Sequence, residues 1–138
     1  MVVVTTESDL LQDLYAAYNA HDATAAALLY ANNGQHVDVA IGKPKTGGRT
    51  IAEGLEAFLA AFPDAHWAVE STADNEDGRA FGRYVLTGTL QQDMWSFTAR
   101  GQRLELAGVH VLEYLEGRIT KSEDYWDAAT FSRQMNKS

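Results

Sequence analysis

A carboxylate and an imidazole fall opposite one another near the end of this chain. Residues 108–127 read GVHVLEYLEGRITKSEDYWD. Two alternating runs flank Glu116-Gly117-Arg118, and Gly117 supplies the backbone freedom for a tight turn. With a short loop centred on those three residues, Leu115 faces Ile119, Glu113 faces Lys121 and Val109 faces Tyr125. These are apolar, opposite-charge and apolar pairs, as cross-strand neighbours prefer. A slip of one residue sets Leu115 against Arg118 and Leu112 against Lys121. The favoured register puts His110 opposite Asp124, on a face shared with Gly108, Leu112, Tyr114, Thr120, Ser122 and Trp126. The other face carries Glu113, Lys121 and Glu123. A carboxyl on the less charged, inward face is poised for proton transfer, because burial raises its pKa and the imidazole can hold or share the proton. A buried pair that only orders the sheet uses the same residues, so the pair alone leaves both roles open.

The elements that must position this pair follow from periodicity. Thr6 and Asp9 frame a helix start as a capping box. Leu10, Leu14 and Tyr18, with Leu11 and Tyr15 beside them, extend an amphipathic helix to about Asn19. Asp22 caps a second, alanine-rich helix expected to end near Asn32-Asn33-Gly34. Val37, Val39 and Ile41 alternate with His36, Asp38 and Ala40, a strand expected to turn its valines inward. Thr50 and Glu53 form another capping box, before a helix with Ile51, Leu55, Phe58, Leu59 and Phe62 on one face, stopped at Pro63. The period then switches to two. Strands are expected at 66–72, 81–91, 102–115 and 119–126, with a turn at Asn75 to Gly78 and a connection containing Trp95 and Phe97. Asp127 caps a short last helix with Phe131 and Met135 on its apolar side. Helices first and strands after predict an α+β fold, a curved antiparallel sheet covered by an N-terminal helical layer, as a single domain over 1–138.

The bulk numbers narrow the partners. The chain has 138 residues, 46% of them hydrophobic, enough for one folded domain with a real core. A net charge of −8 argues against nucleic acid or an anionic membrane as partner. There is no cysteine, which removes disulfides, thiolate chemistry and cysteine-based metal sites. MVVVTTESD lacks the basic region of a signal peptide, and no apolar run is long enough to span a membrane, so a soluble cytoplasmic protein is expected.

Other chemistry-bearing residues carry weaker signals. His36 and Asp38 have metal-ligand chemistry at strand spacing, but they are expected opposite the valine face and lack a third convergent ligand, so no metal is assigned. Lys43, Lys45 and Arg49 with their glycines lack the order of a phosphate-binding loop and read as a solvated loop. Tyr15, Tyr18, Trp67, Tyr84 and Trp126 fall on inward faces. Such rings are usually core, yet they also suit the wall of a cavity for a flat ligand.

Taken with LYAAYNAHD at 14–22, FPDAHWAVE at 62–70, LTGT at 86–89 and the run from GVHV through EGRI to DYWDAATFSRQM, the chain resembles the SnoaL-like polyketide cyclases. These belong to the nuclear-transport-factor-2-like superfamily, which also contains ketosteroid isomerase. The resemblance implies a cone-shaped, cystatin-like α+β barrel with a deep pocket, dimerising through its sheet. It also implies an acid/base carboxylate on the last strand and a histidine on its neighbour, at the positions of Asp124 and His110. Where the family has a Gly-Thr-His motif this chain has Gly88-Thr89-Leu90, and its Pro-Thr-Gly is here Ala99-Arg100-Gly101. The isomerase branch's catalytic aspartate aligns with Val39.

The activity implied is ring closure of a small hydrophobic or aromatic carbonyl compound by an intramolecular aldol-type step, without a cofactor. Asp124 and His110 are the expected catalytic pair, and Tyr15, Tyr18, Trp67, Tyr84 and Trp126 the expected substrate contacts. A dehydratase, hydratase, hydroxylase or isomerase using the same pocket stays open, as does a non-catalytic ligand-binding or dimerising module.

Overall fold

A computed structural model describes residues 8–137 of the chain. Its elements are α1 (Ser8–Asn19), α2 (Ala23–Ala27), β1 (Tyr30–Asp38), β2 (Lys45–Thr46), α3 (Gly48–Ala61), β3 (His66–Asp74), β4 (Arg79–Thr89), β5 (Arg103–Leu115), β6 (Arg118–Trp126) and α4 (Ala128–Met135). The strands form one curved, unclosed six-stranded sheet in the order β2-β1-β6-β5-β4-β3. α1 packs on β3 and β4, α3 on β1 and β2, and α4 on β5. The core is the apolar layer between, including Leu11, Leu14, Phe62, Tyr84, Leu104, Leu112 and Ile119. Among the described residues no helix is long and apolar enough to cross a membrane.

The α+β architecture agrees with the expectation, with one departure in strand direction. β1 runs parallel to β6, while every other neighbouring pair is antiparallel. The same pairing shortens the second helix. Asp22 caps it as expected, accepting from the Ala25 N–H at 3.0 Å. But the Leu29 carbonyl already accepts from the Ile119 N–H at 3.0 Å, and Tyr30 is buried beside it. Strand pairing thus captures the chain where alanine propensity alone would continue the helix. Asn32-Asn33-Gly34 lie inside β1, at an irregularity in its pairing.

α3 begins two residues before Thr50. Its N-cap is Gly47, without a side-chain cap bond, so the Thr50–Glu53 box does not form. The Thr6 half of the first expected box lies outside the described residues. Asp127 caps α4 as expected, accepting from the N–H and hydroxyl of Thr130 at 3.0 and 2.6 Å.

In the β5–β6 hairpin, His110 pairs with Asp124, Glu113 with Lys121 and Val109 with Tyr125, as expected. The turn differs. Leu115 pairs with Arg118 across a two-residue loop, with Glu116 at φ 53° and Gly117 at φ 77°. Positive φ at both positions matches the twist of a hairpin. Thr120 is then an extra residue, since Tyr114 pairs with Ile119 and Glu113 with Lys121. This bulge absorbs the one-residue slip, so the register at His110 is the same as with a three-residue loop.

Candidate active site

His110 is fully buried, and its ring is fixed from α1. The Tyr15 hydroxyl lies 2.8 Å from His110 Nδ1. Gly82 makes this approach possible, because a β-carbon there would come within 2.8 Å of both the Tyr15 hydroxyl and Leu11. Burial, and then the charge of Asp124, push the Tyr15 pKa up, so its hydroxyl keeps its proton. We assign the ring hydrogen to Nε2, which faces the Asp124 carboxyl, and Nδ1 then accepts from the Tyr15 hydroxyl. Nε2 stands 3.4 Å from Asp124 Oδ2, longer than an ordinary hydrogen bond, and has no closer partner. This contact is not an ion pair. Burial, and then the nearby His36, hold the His110 pKa down at about 3, so the ring is neutral at physiological pH.

Asp124 is the part of this cluster that meets the cavity, with 13% of its side chain exposed. Its Oδ1 accepts from the Tyr84 hydroxyl at 2.6 Å. Tyr84 pairs with Gly108 across β4 and β5, and its ring lies over that glycine; a β-carbon at 108 would collide with the ring and hydroxyl. Burial, and then the negative charge of Asp38, raise the Asp124 pKa to about 7, against the lowering effect of the Tyr84 hydrogen bond. The group is therefore shared between acid and carboxylate near neutral pH, the condition for general acid/base chemistry.

Asp38 is brought beside Asp124 by the parallel β1–β6 pairing, which also sets His36 beside Ser122. Burial would raise its pKa too. The hydrogen bond and charge of His36 outweigh that, together with the Trp126 indole N–H at 3.1 Å and the Lys45 cation, so Asp38 lies below the usual carboxylate range. The His36 ring spans Asp38 at 3.6 Å and the Ser122 hydroxyl at 2.7 Å, and Ser122 is 2.6 Å from the Tyr30 hydroxyl. Two adjacent carboxyl groups are thus driven apart in pKa, Asp38 ionised and Asp124 near neutrality, an arrangement that assigns different proton states to chemically identical groups.

Both carboxyl groups open on a cavity of about 530 Å³ between the sheet and the helices, a size that suits a small organic ligand. Its buried floor includes Tyr18, Tyr30, Trp67, Tyr84 and Leu106, and its exposed rim includes Lys43, Gln92 and Trp95. Asn19 holds Trp67 in place, donating to its carbonyl at 3.0 Å and accepting from its N–H at 2.8 Å.

Of the aromatic residues expected to contact a ligand, Tyr18, Trp67, Tyr84 and Trp126 line the cavity. Tyr15 does not; it stands behind the wall, spent on His110. His110 also sits behind the lining, against Asp124, Tyr18 and Tyr84, which face the cavity.

The largest correction concerns β1. Its valines were expected inward, yet Val39 is 40% exposed and lies outside the strand, while His36 and Asp38 face the cavity. The reason is the helical cover: α3 packs on the His36 face of β1 and leaves the valine face outermost. The missed signal is a polar ladder. His36 and Asp38 have the same two-residue spacing as Ser122 and Asp124, the residues they meet across the parallel pair. Among the described residues no group of three or more His, Cys, Asp or Glu is placed to hold a metal ion.

The fold recurs in solved structures. A polyketide-cyclase candidate from Xanthomonas campestris pv. campestris superposes with a TM-score of 0.85 at 23% identity, covering 94% of this chain and 96% of that one. A polyketide-cyclase candidate from Pseudomonas putida gives 0.84 at 23% identity, over 96% and 99%. AclR, a hydroxylase candidate from Streptomyces galilaeus, gives 0.81 at 22% identity, over 96% of both chains. At such identities the likeness concerns the fold. No curated protein matches in sequence. The family model described as SnoaL-like polyketide cyclase matches residues 8–135, nearly the whole chain, and the protein therefore belongs to the SnoaL-like polyketide cyclase family.

Proposed function

We propose that the protein is an acid/base enzyme that moves a proton next to a carbonyl group and closes a ring in a small, flat, polyketide-like substrate. The observation that supports this best is Asp124: a carboxyl with a pKa of about 7 on the wall of a largely apolar cavity. The ionised form of Asp124 takes a proton from a carbon activated by adjacent carbonyls. The resulting enolate attacks a second carbonyl of the same molecule, forming the ring's carbon–carbon bond and leaving an alkoxide. Asp124, now neutral, gives its proton to that alkoxide and is regenerated. His110 acts through Asp124 as a positioning residue, presenting a fixed N–H and a neutral ring. Burial, and then repulsion from an Asp38 that stays ionised, keep the Asp124 pKa near the working pH. Such a group contributes about 10²–10⁴ in rate, and holding the reacting carbons together in the cavity supplies much of the remainder.

Deuterium exchange into 2-tetralone, an aromatic ketone small enough for the cavity, tests the first step without knowledge of the natural substrate. In D₂O at pH 8, exchange at the carbon between ring and carbonyl should be faster with the protein than without it. Asp124→Asn should lower the catalysed rate by about 10² or more. Equal exchange with wild type and Asp124→Asn would leave a ligand-binding module as the better account.

A further inference from the structure

Two lysines on the cavity wall are left unused by proton transfer at Asp124. Lys45 lies on β2 opposite His36, and its side chain, like that of His36, lines the cavity. Its stem runs across α3 at Gly54, where a β-carbon would come 2.6 Å from Cε and 2.9 Å from Cδ. Any larger residue at 54 would displace the ammonium group, so this glycine is a cradle for the lysine. Lys43 stands two residues earlier, exposed at the rim. Among the described residues neither ammonium has a carboxylate within 4.0 Å.

The acids that share the cavity are otherwise engaged. Asp38 is held by His36 and Trp126, with the Lys45 cation acting on it from beyond ion-pair distance, and Asp124 by Tyr84. Asp93 accepts from the Ala99 N–H at 2.8 Å within its own loop. In a chain with a net charge of −8, Lys43 and Lys45 bring two positive charges, without a carboxylate inside ion-pair distance, to a wall that also carries Asp38, Asp93 and Asp124. Two separate ammonium donors without a carboxylate in contact fit the two oxygens of a carboxylate ligand.

We propose that the ligand is a carboxylic acid, its carboxylate seated on Lys43 and Lys45 and its carbonyl-bearing rings directed inward to Asp124. The proposal rests on the proton-transfer reading and narrows its substrate class to oxo acids of flat, aromatic character. The reaction that supplies this substrate must then release a free acid, by hydrolysis of an ester or thioester.

Binding of 2-naphthoate and of methyl 2-naphthoate, followed by quenching of tryptophan fluorescence at pH 8, separates this proposal from the reading beneath it. The wild-type protein should bind the acid about tenfold more tightly than the ester. Added salt should shrink that preference. In the double variant Lys43→Met, Lys45→Met, which keeps both apolar stems, the acid should fall to the affinity of the ester while the ester is unaffected. Equal affinity of the wild type for the two probes overturns the proposal, as does a preference that survives in the double variant. In either case, continued binding of the ester and catalysed exchange into 2-tetralone leave the proton-transfer reading standing. Failure to bind either probe overturns the proposal, and with loss of the exchange overturns the reading as well.

Discussion

Replacing Asp124 by Asn should change stability in a direction that depends on pH. The Asp124 pKa rises from the ordinary aspartate value of 3.8 to about 7 on folding. Between those values the folded protein holds a proton at Asp124 that the unfolded chain has lost. The contribution is fully present below 3.8 and is lost as pH rises through 7, amounting to about 4 kcal/mol. His110 works in the opposite sense. Its pKa falls from 6.5 to about 3, so its contribution is present above 6.5 and is lost as pH falls through 3. In the wild type the two nearly cancel between pH 4 and 6.5. Asn mimics the protonated acid and removes the Asp124 contribution alone. The stability of Asp124→Asn relative to wild type should therefore increase by about 4 kcal/mol from pH 4 to pH 8. Urea unfolding of both proteins, followed by fluorescence of the three tryptophans, measures this at one-unit intervals of pH. A difference that stays constant, or that moves against the variant as pH rises, would refute the reasoning. The second result would mean that Asp124 is a stabilised carboxylate facing a protonated His110, the ordinary buried ion pair.

The neighbours of Asp124 should move its titration in opposite directions. Asp38→Asn removes a like charge and should shift the rising limb of the exchange rate against pH below 7, whereas Tyr84→Phe removes a hydrogen bond to the carboxylate and should shift it above; limbs that coincide with wild type would count against the local electrostatics. Tyr84→Phe should also cost roughly 1.5–3 kcal/mol at pH 8, where the bond is to an anion, and less at pH 5, read from the same urea series. Gly108→Ala should destabilise by about 1–3 kcal/mol, because the added methyl meets the Tyr84 ring, and should move the limb as Tyr84→Phe does. On the outward sheet face Val39, Val109 and Tyr125 are exposed together, and we expect a second copy to cover them. Sedimentation at micromolar concentration should give about twice the 15.1 kDa chain mass, and a single-chain mass would remove that role from the face.

How much of this site can be read in the sequence depends on whether contacts are local. The His110–Asp124 pairing is legible because both residues belong to one hairpin, and the Glu113–Lys121 pair fixes its register even though the turn and its bulge are not foreseen. The residues around that pair come from afar. Asp38 reaches Asp124 only through the parallel β1–β6 pairing, across 86 positions of sequence, and no hairpin rule addresses such a contact. The valine face of β1 misleads for a related reason. Alternation tells which residues share a face of a strand, but not which face a helix covers. α3 covers the polar face, so burial falls on His36 and Asp38 while Val39 is left exposed. That inversion also explains why the site works as a pair of unlike carboxyls. A strand with its valines inward would give Asp124 an apolar neighbour and burial alone to raise its pKa. With Asp38 inward, the repulsion of a second carboxylate is added, and His36 and Trp126 ensure that it is Asp38 that stays ionised. The glycines carry the same lesson at closer range. Gly82, Gly54 and Gly108 look like weak points of a strand, a helix and a strand, and each is the space through which Tyr15, Lys45 or Tyr84 reaches its place.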